Sequence, residues 1–119
     1  MGIRIPVKLR HLDRELNTTV LLNTGFETDE PVIALPLTTA SHLNLTPGER
    51  KIYLGPGSMV GEAYLAGKVT VTVEASGVKR SIEAYAVIEP REDEAILSDK
   101  AIAELGITID LKHMKWWLT

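Results

Sequence analysis

Val20-Leu21-Leu22-Asn23-Thr24-Gly25-Phe26 is the stretch on which the fold turns. The segment Asn17 to Leu22 is rich in β-formers and becomes wholly apolar at its end, as a strand does when its last residues enter a core. It runs straight into a polar turn carrying glycine. Far downstream the pattern recurs: the apolar run Ala95-Ile96-Leu97 gives way to Ser98-Asp99, which opens a helix through Leu105, with Gly106 as its C-cap. Two apolar strands, each ending in a polar turn and each followed by a helix, frame everything between them.

The segments around this frame read mostly as strands. Ile3, Ile5, Val7 and Leu9 alternate with Arg4, Pro6, Lys8 and Arg10, a period of two that predicts a half-exposed strand, and Pro6 marks it as an edge. Pro31 to Leu35 is a short strand. After it Leu37, Ala40, His42, Leu43 and Leu45 space out a short amphipathic helix, with Thr38 or Thr39 as a cap and Pro47-Gly48 as the stop. Lys51 to Leu54 predicts a strand, and Gly55-Pro56-Gly57-Ser58 a hairpin tip. Glu62 to Glu74 and Val78 to Ile88 form a long antiparallel pair around Ala75-Ser76-Gly77, with Tyr64, Ala66, Lys68, Thr70 and Thr72 sharing one face. Pro90 to Glu94 is a polar turn. Ile107 to Leu111 and Lys115 to Leu118 close the chain as two strands around Lys112-His113-Met114, so that adjacent Trp116 and Trp117 face opposite ways.

The composition fits one folded domain over residues 1–119. Apolar residues make up 45% and charged residues 24%, enough for a core, and the 13 Lys and Arg against 16 Asp and Glu give a net charge of −3. A basic stripe for nucleic acid is missing, since the cations are scattered along the chain. No apolar run approaches the length of a spanning helix, and the first residues show no signal-peptide core, so a cytoplasmic protein without a membrane partner is expected. The absence of cysteine excludes disulfides, thiolate zinc sites and a cysteine nucleophile. His11, His42 and His113 sit at no ligand spacing, and Glu27, Asp29, Glu30 and the run Arg91 to Glu94 read as solvated loop charge, so neither metal nor cofactor is expected.

In order and spacing these pieces resemble the retropepsin-like aspartic proteases, most of all the prokaryotic branch whose motif reads Asp-Thr-Gly-Phe. The matching segments are Leu22-Asn23-Thr24-Gly25-Phe26, Ala34-Leu35-Pro36, Ala40 to Leu45, Leu54 to Ser58, Tyr64 to Val69 and Ile96 to Ile109. The resemblance implies an all-β fold: a closed β-barrel with one or two short helices and a flap hairpin. It also implies a homodimer that binds a peptide or unfolded protein across its twofold axis. Asn23, Thr24 and Gly25 would occupy the catalytic positions, and Phe26, Gly55, Gly57, Ser58, Met59 and Ile96 would line the substrate site.

Two residues depart from the family pattern. Asn23 stands where the family has its catalytic Asp, and Ser98 where it usually has Gly. In the family, one Asp from each subunit shares a proton with its partner, because like charges about 3 Å apart do not both ionise. One carboxylate then acts as base and the other as acid. An amide does neither, so the chain as written is expected to be inactive or nearly so as an endopeptidase. Two origins stay open: an engineered Asp-to-Asn change, or natural loss of the acid with the fold kept as a non-catalytic peptide-binding module. Asp13, Asp99 and Asp110 follow no apolar pair with Thr-Gly behind it and are not replacements. A purely structural or nucleic-acid-binding barrel is disfavoured by the charge balance and by only 5% aromatic residues.

Overall fold

A computed structural model describes residues 2–48, 50–54 and 60–119; for 50–54 and 60–62 it describes the backbone alone. The elements are β1 (Ile3–His11), β2 (Arg14–Leu22), β3 (Val32–Leu35), α1 (Leu37–His42), β4 (Arg50–Leu54), β5 (Val60–Ala75), β6 (Val78–Ile88), β7 (Ala95–Leu97), α2 (Asp99–Leu105), β8 (Ile107–Asp110) and β9 (Lys115–Leu118). The protein is mostly β, with two short helices, as the sequence led us to expect.

Six strands close on themselves in the order β1-β2-β7-β3-β6-β5, the last pairing back to β1 through Lys8–Arg10. β4 lies outside this ring as a further antiparallel partner of β5, from Arg50↔Tyr64 to Leu54↔Val60. The arms of the glycine-tipped hairpin are therefore in place, whereas its tip, including Gly55, Gly57, Ser58 and Met59, lies outside the described residues. β8 and β9 form a separate two-stranded sheet.

Alternation fixes which side chains fill the barrel. Ile3, Ile5, Val7 and Leu9 are buried while Arg4, Pro6, Lys8 and Arg10 are exposed. Val20, Leu22, Ile33, Leu35, Val69, Val71, Val73, Ile88 and Leu97 complete the lining, and Ala101, Ile102 and Leu105 of α2 join the same cluster. A six-stranded ring filled this way has an apolar interior, with its polar side chains at the rims and on the outer face.

Three details differ from the sequence expectation. β1 is not a simple edge, because it pairs with β2 along its whole length and with β5 at Lys8–Arg10. The β5 ladder does stop two residues short of Pro6, which has no N–H to extend one. Tyr64 and Ala66 pack against the core instead of sharing the outer face of Lys68, Thr70 and Thr72. The cause is a bulge: between Leu65↔Val87 and Lys68↔Tyr85, β5 sets two residues against one on β6, and Gly67 supplies φ +103°. Each inward position shifts by one past that point. Finally, α1 starts at Leu37 behind Pro36, so neither Thr38 nor Thr39 caps it, and it ends at His42.

Gly106 caps α2 in the left-handed region at φ 70° and turns the chain into β8. The Arg80 guanidinium lies against it, donating to the carbonyls of Leu105 and Thr119. A Cβ at position 106 would collide with Arg80 Nη1. Gly106→Ala should therefore cost about 1–2 kcal/mol for the backbone conformation, with a further loss from the displaced guanidinium. Urea denaturation of the two proteins measures the difference.

Candidate functional site

The site begins with a strand pairing. β2 and β7 run parallel, with Val20, Leu21 and Leu22 opposite Ala95, Ile96 and Leu97, so residues 23 and 98 leave neighbouring strands at the same end of the barrel. The Asn23 N–H donates to the Leu97 carbonyl at 3.3 Å, carrying the ladder one step past the strand. β3 flanks β7 on its other side, with Ile33 opposite Leu97.

Asn23 then folds its own turn. Its side-chain Oδ1 accepts the Gly25 N–H at 3.0 Å and its carbonyl accepts the Phe26 N–H at 3.1 Å, an Asx turn nested in a backbone turn. Both bonds use acceptor oxygens, which an aspartate would present equally. Asn23 is half-buried, Thr24 and Gly25 are exposed, and Phe26 is 8% exposed, so its buried ring fixes the end of the turn.

The segment after β7 holds the other side. The Ser98 N–H donates to the Val32 carbonyl at 3.0 Å, and Ser98 Oγ accepts from the N–H groups of Val32 at 3.1 Å and Ala101 at 3.2 Å. Ser98 is thus the N-cap of α2 and a stitch to β3, fully buried with its hydroxyl partnered. This explains physically why serine serves where the resembled family usually has glycine. The Asp99 N–H donates to the Phe26 carbonyl at 2.9 Å, and Asp99 Oδ1 accepts the Thr28 N–H at 2.9 Å. Thr28 in turn donates its hydroxyl to the Glu30 carbonyl at 2.6 Å.

Of the residues singled out in the sequence, Asn23, Thr24, Gly25 and Phe26 come together in this turn. Ile96 lies one strand away opposite Leu21, half-buried and facing away from the Leu97 side of β7. Gly55, Gly57, Ser58 and Met59 lie outside the described residues. Sequence reasoning missed the role of Asp99. Its position as the first residue of a helix was legible, but its bond to Thr28 spans 71 residues and has no local signature.

Among the described residues, two carboxyls with perturbed titration lie elsewhere. Burial, reinforced by Glu89, Asp93 and Glu94, holds the Glu92 carboxyl above its ordinary range. The hydrogen bond from Arg4 holds Glu94 below it. Both belong to the loop that enters β7 from the end remote from Asn23. Among the described residues no three His, Asp or Glu side chains are grouped to hold a metal ion. His11 bonds the Leu43 carbonyl and His113 bonds Asp110. Two open hollows on the outer face of β1, β5 and β6 share Lys8, Thr72 and Lys79, and neither includes a residue of the Asn23 turn.

The Ser98 hydroxyl stitches α2 to β3, so its removal should weaken both. Ser98→Ala leaves the N–H groups of Val32 and Ala101 without that acceptor, and a stability loss of about 1–3 kcal/mol is expected. Chemical denaturation reads it directly.

No protein-family model matches the chain, and no curated protein matches it. A functional reading of the site rests on its own geometry and on the sequence pattern.

Proposed function

We propose that this chain is one protomer of a homodimeric, retropepsin-like aspartic endopeptidase in which Asn23 holds the position of the acid. As written it binds extended polypeptide without hydrolysing it. The observation that carries this reading is the Asn23-Thr24-Gly25 turn set at the end of β2 and clasped by the segment that follows parallel β7. The turn presents residue 23 at a barrel rim with its backbone held on both sides, as a group must be held to meet a second copy of itself.

The chemistry follows from the side chain at position 23. Two carboxylates meeting across a twofold axis share one proton, so that one accepts a proton from water while the other donates to the peptide carbonyl. Two amides supply neither step. The second reading, a non-catalytic peptide-binding module, is favoured by Asn23 itself, because an amide keeps the Gly25 hydrogen bond without setting two like charges side by side.

Asn23→Asp separates the two readings. Turnover of denatured polypeptide at acidic pH should rise at least about a hundredfold, and a statine-type transition-state mimic should inhibit it. One carboxyl of the pair would titrate above its unfolded value, so the dimer would lose stability as pH rises through that value. Failure of Asn23→Asp to cleave at any pH from acidic to neutral, with peptide binding retained, would leave the binding module standing.

The dimer part of the proposal draws on the C-terminal sheet. β1 has partners on both sides within its own barrel, β2 along its length and β5 at Lys8–Arg10. β9, in contrast, pairs only with β8 among the described residues. Its Trp116 and Leu118 pack toward the core while Trp117 is 46% exposed, close in sequence to Leu111 at 60% and Met114 at 50%. An open strand edge beside exposed apolar side chains suits a second copy of the same strand. Trp117→Glu should yield a folded monomer in sedimentation analysis. A dimer unchanged by that substitution would place the contact elsewhere.

A further inference from the structure

We infer that Asp99 is the positioning residue for the Asn23 turn: its carboxylate sets where the loop beyond residue 23 lies. The inference rests on the endopeptidase reading for its consequence in turnover and on hydrogen-bond geometry for the positioning itself.

The three residues Leu97, Ser98 and Asp99 contact the excursion from the end of β2 to the start of β3 at successive points, and the Tyr85 N–H adds a bond to the Pro31 carbonyl. Leu97 takes the Asn23 N–H, Asp99 takes hold at Phe26 and Thr28, and Ser98 bonds Val32 in both directions. Most of these bonds are made by backbone and remain available to any residue but proline at 98 or 99. Two depend on side chains. Ser98 Oγ acts at the far end of the loop, on Val32, whereas Asp99 Oδ1 acts on Thr28, five residues from Asn23 in the chain.

Thr24, Gly25, Glu27, Asp29 and Glu30 are all exposed, and among the described residues the Thr28 hydroxyl bonds within the loop, to Glu30. Phe26 is buried and fixed at its carbonyl by the Asp99 N–H, so the Asp99 carboxylate supplies the next fixed point along the chain. The acceptor oxygen does this work. An amide of the same length keeps it, while alanine and serine are too short to reach.

The test compares Asp99→Asn, Asp99→Ala and Asp99→Ser by two readouts. In the chain as it stands, hydrogen exchange at the Thr28 amide should accelerate by roughly tenfold or more in the Ala and Ser variants, with protection kept in the Asn variant and β1 amides unchanged in all three. In an Asn23→Asp background, kcat should fall by roughly ten- to a hundredfold in the Ala and Ser variants. KM should move little, and the Asn variant should restore kcat. A generally weakened fold would instead speed exchange in β1 as well. Should Asp99→Ala fail to fold, Asp99→Ser decides. Unchanged Thr28 exchange in the short variants, or an Asn variant as damaged as Ala, overturns the inference. If Asn23→Asp shows no turnover, the endopeptidase reading falls, and the exchange measurement still decides whether Asp99 holds the loop.

Discussion

The parallel pairing of β2 with β7 is the constraint on which the rest depends. It involves three residues on each strand, Val20 to Leu22 against Ala95 to Leu97, and it joins segments more than seventy residues apart in the chain. Without it the barrel has an open side, because among the described residues β7 alone bridges β2 and β3 in the ring. A three-residue strand survives only when both neighbours satisfy its backbone and its inward side chains are buried. β7 meets both conditions, with Ala95 and Leu97 in the core. The hydrogen bonds of Asn23, Ser98 and Asp99 extend that short contact beyond the strand ends, so the turn that carries the candidate site also helps to close the barrel.

Closure has a second consequence. The interior is filled with aliphatic side chains, and among the described residues no buried side-chain N or O atom is left unpartnered. Such an interior offers a ligand few polar handles. The binding proposed for this chain accordingly uses the rim, where strands give way to turns. The Asn23 turn is at that rim because it follows directly on the buried end of β2, where Leu22 is the last residue of the strand.

Much of this was legible in the sequence. The alternation of Ile3 to Leu9 gave away the inward face of β1, and Ser98 and Gly106 announced both ends of α2, because caps are local devices with local residue preferences. The β5 bulge was not legible in its effect. Gly67 was visible, but whether a glycine in a strand shifts the parity depends on the partner strand, here Val87 to Tyr85 on β6. Pro6 was over-read: proline restricts one position of a ladder, and β1 keeps partners on either side of it. The grip of Asp99 on Thr28 was hidden for the same reason as the bulge. It is a contact between distant segments, and its residue types are common at any helix start.

The identity of residue 23 stands apart from the architecture around it. Asn23 uses its Oδ1 and its carbonyl to shape the turn, both as acceptors. An aspartate offers the same acceptors, so the loop imposes no choice between the two side chains through hydrogen bonding. What differs is charge. In a single chain a half-exposed carboxylate beside the Gly25 N–H would be well solvated, but two of them meeting in a dimer would repel unless one stayed protonated. Asn removes that repulsion, and with it the acid and the base. The barrel, the turn and the Ser98-Asp99 clasp are thus compatible with either side chain, and in the endopeptidase reading proposed above one atom of position 23, nitrogen or oxygen at the end of the side chain, would separate a binding surface from a hydrolase.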